Sequence, residues 1–319
     1  MNGRGLLLFL TVSVLWGVPY LLISLALEGM GPVSVVAWRV VLGALILLPV
    51  AWRRGLPPLL RERWRPLLLL AGVEVTAPFT LIAVSEHTVS SGLTGVLIAT
   101  EPLFLLALGF FWGKRERLAR GAWAGAALGF LGVIVLLGGA GAGAGTGAVL
   151  VLIAAACYAV GALLMHRLFP GVPPLTVTAG MLALAAPPLL AVAAITEPAP
   201  RITVRVLFAV IGLGVACTAG GFTAFFALIN EEGPTRAAFI TYVAPVVAVT
   251  AGVVVLSEPV TVRVIAGTVL VLTGAAAAAR KPAATRTPPS AAARQDDSSR
   301  HIPDDSYGTS MTDRGDTVH

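Results

Sequence analysis

Aspartate is missing from the first 295 residues of this chain; all six stand in the last 24 positions, as Asp296, Asp297, Asp304, Asp305, Asp313 and Asp316. Charge of either sign is scarce, at 12% of residues against about 25% in soluble domains. With a mean hydropathy of +0.89, such a chain belongs in lipid. Cysteine occurs only twice, Cys157 and Cys217, each inside an apolar run; that pattern supports neither a disulfide framework nor a metal site. The two histidines ahead of the tail, His87 and His166, fall near the ends of apolar runs, and there is no H-E-x-x-H or G-x-S-x-G. Metal-assisted and nucleophilic hydrolysis are therefore disfavoured, no cofactor is called for, and the chain is not read as an enzyme. Residues 1–281 carry a net charge of +8 and residues 282–319 a net charge of −2, so the basic balance resides in short loops. It does not form a nucleic-acid-binding face.

Apolar stretches fill the space that charge leaves. Ten runs of about 20 residues, each bounded by charges, glycines or prolines, predict an all-α integral membrane protein with ten transmembrane helices. The first run, behind Arg4, is too long for a signal peptide and reads as an uncleaved helix. Beyond Lys281 the chain is rich in Pro, Ser, Thr and Asp and reads as a disordered cytoplasmic tail, 281–319. With both termini cytoplasmic, the inner loops hold fourteen Arg and Lys residues and the outer loops three, Arg201, Arg205 and Arg263. The positive-inside rule then places a multi-pass protein in the inner (plasma) membrane in that orientation.

The two halves match each other. "GMGPVSVVAW" (29–38) aligns with "GVPPLTVTAG" (171–180) at an offset of 142. "ERLARGAWAGAALGFLG" (116–132) aligns with "EPVTVRVIAGTVLVLTG" (258–274) at the same offset, pairing Gly125 with Gly267 and Gly132 with Gly274. This gives two repeats, 1–138 and 148–280, joined by a Gly-rich linker, 139–147. The linker lacks the Lys-Ser/Thr ending of a phosphate loop. Five helices per half is an odd number, so the second half must enter the membrane inverted. Inverted repeats are a transporter architecture, with the substrate bound at mid-membrane between the halves. Gly121, Gly125 and Gly129 form a small-residue stripe for helix packing, inside a monomer or along a homodimer seam.

Ten spans as five plus five, an Arg early in the second ("AWRVVLGALILLP"), a proline inside the fourth and ninth ("TEPLFLLALGFFWGKRERL", "YVAPVVAVTAGVVVLSEPV") and a Glu opening each half's last helix resemble the EamA-type exporters of the drug/metabolite transporter superfamily. The resemblance covers about 1–280. It implies outward movement of amino acids, other metabolites or toxic compounds, often against protons. The second half departs from the first, with Met181 in place of Arg39 and Ala244 in place of Glu101. Uptake by the same fold, and a non-transporting channel or receptor, are the alternatives.

A charge at a helix centre costs about 2.5 to 3.5 kcal/mol on insertion scales, which singles out Arg39, Glu74 and Glu101. By helical rise, Glu74 lies roughly 12 Å from the inner start of its span and Glu101 roughly 20 Å from the outer start of its own, so the two carboxylates can share one depth. They are the candidate proton- or substrate-binding groups, with Arg39 facing an anionic substrate group. The competing reading is a structural ion pair. Trp16, Tyr158 and Tyr242, and with less weight Tyr20 and Trp38, are candidate walls of a central cavity. Pro102 withholds an N–H from the carbonyl of Ile98 and should open a polar notch beside Glu101. Pro245 and Pro19 are candidate kinks of the same kind.

Overall fold

The computed structural model describes residues 1–112, 120–138 and 144–278; the expected disordered tail lies outside them. The described residues are helical throughout, with no strand among them. In chain order they form α1 in two pieces (Gly3–Gly17, Pro19–Leu27), α2 (Pro32–Trp52), a short helix (Leu56–Glu62), and α3 (Trp64–Ala71 continuing through Ala77–Ser85). Next come α4 in two pieces (Ser91–Ile98, Glu101–Trp112), α5 (Arg120–Leu137), α6 (Ala144–Leu168) and α7 (Pro174–Thr196). The chain ends with α8 (Val204–Ile211 continuing through Gly221–Glu232), α9 (Ile240–Leu256 after the turn Pro234–Ala237) and α10 (Val262–Ala278). Eight of these segments are long and apolar enough to cross a membrane; α5 and α10 are shorter apolar helices.

Local chemistry sets the ends and the breaks. Asn2, Ser90 and Thr203 accept the N–H of Gly5, Leu93 and Val206 through their side chains, and proline opens α2, α7 and the turn before α9, where its missing donor is harmless. Pro19 begins the second piece of α1 after an interruption at Val18. Pro102 is the second residue of the second piece of α4, which follows a break over Ala99 and Thr100. Pro245, by contrast, sits inside an uninterrupted α9. The linker is shorter than expected on its second side: Ala144 to Gly147 are already helical in α6, and Gly147 packs without a side chain against Thr88 and Val89. That tertiary contact outweighs the poor helix propensity of the glycines. Residues 139–143 lie outside the described residues.

The halves pack as a two-fold pair. α1 lies on α8 and α9; the corresponding helix of the second half, α6, lies on α3 and α4. The corresponding helices α2 and α7 pair along their lengths, as do α5 and α10. Both pairs run antiparallel. Glu197 at the end of α7 meets the start of α2, while Thr176 near the start of α7 donates to the Arg54 carbonyl just past the other end of α2. In the second pair Gly125 lies against Gly274 and Gly132 against Gly267, contacts that interchange under the 142-residue offset. A methyl on Gly132 would stand 2.7 Å from the Val271 nitrogen, so the backbones touch only because these positions are glycine. Gly125 and Gly129 thus serve packing within the chain, and Gly121 meets nothing within 4 Å. The main buried core gathers around α2 and α7, where Met181, at the position matching Arg39, is fully buried.

Candidate functional site

α3 is not a regular helix at its middle. Pro78 cannot donate to the carbonyl four residues earlier, which is that of Glu74, and the backbone widens there into a π-helical turn over Gly72–Thr76. Glu74 is carried on this turn. The corresponding helix α8 has a longer π-helical stretch, Gly212–Gly220, without any proline. There the Thr218 hydroxyl donates to the carbonyl of Leu213, five residues back, at 2.8 Å. Irregular backbone therefore occurs at matching places in the two halves, beside the charged groups.

Those groups converge. Arg39, only 8% exposed on α2, donates from Nε to the Thr218 hydroxyl at 3.0 Å and lays its guanidinium over the Phe79 ring, 3.8 Å from the centroid. Among the described residues it forms no ion pair with a carboxylate. Glu74 turns its side chain onto α6, where only the absence of a Cβ at Gly161 makes room for the carboxylate; its Oε2 is buried without a hydrogen-bond partner. Glu101 opens the second piece of α4 and lies within electrostatic reach of Glu74. Tyr158 on α6 lies in the field of Arg39, Tyr20, Glu74 and Glu101 together, and Cys217 on α8 in that of Arg39. One cation, buried, and two carboxyls and two phenols, partly buried, thus come from five helices into one neighbourhood.

The other expected wall residues lie elsewhere. Trp16 packs against Phe222 and Phe225 of α8, with ring centroids 5.7 and 4.6 Å away, and its indole lies over Gly221. Tyr242 packs into the small cluster formed by Leu103, Ala126 and Ala275. Trp38 is 43% exposed on the bundle surface. Tyr20, which had less weight in the sequence, takes a central place. Thr218, Phe79 and Gly161 were not singled out; Pro78, four residues past Glu74, was the readable signal for that turn. Two grooves, of about 330 and 210 Å³, run along Val246–Val255 of α9 and between Val33, Thr76, Thr80 and Pro188. Neither is lined by a residue of the charged cluster. Among the described residues no group of three or more His, Cys, Asp or Glu is arranged to hold a metal ion.

The model of the EamA-like transporter family matches residues 3–138 and, a second time, 145–280. The chain belongs to this family. It is a multi-pass membrane transporter of two EamA repeats, with a small-molecule substrate and a lipid surround. An uncharacterized inner membrane transporter of Escherichia coli K12, YedA, is 30% identical over 254 residues, covering 75% of this chain and 78% of that protein. A probable amino-acid metabolite efflux pump of Salmonella typhimurium is 28% identical, covering 86% and 94%. An uncharacterized transporter of Archaeoglobus fulgidus is 27% identical, covering 85% and 96%. A crystal structure with a TM-score of 0.64 at 22% identity, covering 88% of this chain and 97% of the other, shares the fold.

Proposed function

We propose that this transporter is a secondary active exporter of small amino-acid-like metabolites. Its two five-helix repeats cross the membrane ten times in opposite senses, with both termini in the cytoplasm, and work by alternating access. The observation that carries the reading is the neighbourhood of buried Arg39 and partly buried Glu74 and Glu101, held without an ion pair among them. Charges this expensive in hydrocarbon face the bundle interior and mark transport pathways. A guanidinium fork suits a substrate carboxylate, and a carboxylate pair suits an ammonium, so the cluster complements a zwitterion. The Salmonella relative's name agrees with that class. Glu74 and Glu101 exchange a proton for the substrate ammonium, which makes outward movement run against protons entering.

The test expresses the chain in a bacterial strain lacking its own amino-acid exporters. Tolerance is scored against single amino acids, their toxic analogues and toxic organic cations, then rescored with Glu101→Gln. Export predicts raised tolerance to at least one amino-acid-like compound, lost with Glu101→Gln at equal membrane abundance. Heightened sensitivity would indicate uptake instead, and tolerance to organic cations alone would overturn the substrate class.

A further inference from the structure

A carboxyl outside the central cluster is built into the opposite end of α3. Glu86 follows directly on the span Trp64–Ser85 and precedes a short loop in which His87, Thr88 and Ser90 are exposed. Ser24 of α1 donates to Glu86 Oε2 at 2.6 Å, whereas Glu86 Oε1 is buried without a hydrogen-bond partner. Thr94 of α4 is the other polar neighbour; the ionisable groups facing it are Glu258, from the segment after α9, and Tyr20. No cation is among these neighbours, so a buried anion here lacks both a counter-charge and a full set of donors.

Ser24 and Tyr20 are four residues apart and share one face of α1. The Tyr20 ring stands against α4, where a methyl at Gly95 would come within 3.2 Å of it. Tyr20 also lies within electrostatic reach of Glu86, Arg39 and Glu101. Glu86, Ser24 and Tyr20 therefore form a line of oxygen-bearing side chains leading from the loop end of the bundle toward the buried cluster. The positive-inside orientation makes that end the outer one.

We propose that Glu86 is a second proton-binding site, at the outer end of the pathway, which takes a proton from outside and holds it beside Ser24, itself one helical turn from Tyr20. The proposal rests on the proton-coupled reading above. A proton added to the Glu86 carboxylate neutralises it and gives it a donor; in the onward step the Tyr20 hydroxyl oxygen accepts that proton while the phenol gives its own to the Glu101 carboxylate, which restores the Glu86 anion that Ser24 stabilises. Burial is the leading influence on this carboxyl and pushes it up to about 8.

The full chain, purified in detergent, is titrated between about pH 6 and about pH 10 while infrared difference spectra follow the C=O band of protonated carboxyls. The proposal expects a band lost near pH 8 that disappears in Glu86→Gln and persists in both Glu74→Gln and Glu101→Gln. Ser24→Ala, which removes the donor to the anion, should move the loss upward by about one pH unit. An unchanged band in folded Glu86→Gln, or a Ser24→Ala titration that stays in place, overturns the proposal. Failure of the export reading appears separately, as transport indifferent to Glu101→Gln while the Glu86 band behaves as described.

Discussion

Glu258 lies in the second half, yet it caps a helix of the first. Ser257 ends α9 in a left-handed conformation, φ 55°, and turns the chain so that the Glu258 carboxylate reaches the start of α4. It accepts from Ser91 N at 2.7 Å, Ser91 Oγ at 2.8 Å and Gly92 N at 3.0 Å. Two of the four N–H groups that every helix start leaves without partners are thereby satisfied, by an anion at the positive end of the helix dipole. Gly92 and Gly252 leave the space: a methyl on Gly92 would lie 3.1 Å from Glu258 Oε2. Hydrogen bonds to a charged group are worth about 1.5 to 3 kcal/mol each and are not additive, and loss of a cap costs about 1 kcal/mol. Glu258→Ala should therefore destabilise the protein by roughly 3 kcal/mol and lower its thermal midpoint in detergent by roughly 5 °C. Glu258→Gln, which retains a neutral acceptor, should cost about a third of that. An alanine variant melting within about 1 °C of the parent would refute the reasoning.

Gly161→Ala places a methyl where the Glu74 carboxylate lies; it should destabilise by about 1 to 3 kcal/mol and reduce export as far as Glu74→Gln does, read from melting and from tolerance assays on the same preparations. Arg39→Lys keeps the charge but loses both the Nε bond to Thr218 and the planar stack on Phe79, so export should fall about tenfold or more, with Thr218→Ala intermediate. For pH dependence, the Glu86 carboxyl moves from 4.5 to about 8 in the folded chain. Between those values the native state holds a proton that the unfolded chain has lost, so stability falls as pH rises from about 4.5 to about 8 and is level above. Melting curves across that range should show the fall in the parent and a shallower one in Glu86→Gln.

Much of this architecture was legible in the sequence because a bilayer demands long apolar runs, and their interruptions by Arg, Gly and Pro are easy to see. The Gly125/Gly267 and Gly132/Gly274 matches pointed to duplication, and the same residues supply the α5–α10 contact. Arg39, Glu74 and Glu101 stood out through the cost of burying charge, and the structure draws them into one neighbourhood. The π-helical turns were hidden. Around Glu74 the clue was Pro78, but Gly212–Gly220 contains no proline, and what accompanies its widening is a Thr218 side-chain bond that only the folded helix displays. Aromatic positions were ambiguous because the same residue type lines cavities, fills cores and faces lipid. Tyr20 differs from Trp16 by about one turn of α1, and that turn separates the charged cluster from the Phe222–Phe225 packing. The glutamates that cap helices across the halves, Glu197 on α2 and Glu258 on α4, could not be assigned without knowing which ends meet.

The central claim, that Glu74 and Glu101 exchange a proton for substrate while the Arg39 guanidinium holds the substrate carboxylate, is tested most directly in vesicles containing the purified protein and a pH-sensitive dye. The amino acid or analogue returned by the tolerance screen is added outside, and internal pH is followed. The account predicts a substrate-dependent change in internal pH with the parent chain and none with Glu101→Gln that is folded and present in equal amount. Substrate movement with no pH change in the parent, or undiminished coupling in Glu101→Gln, would contradict it.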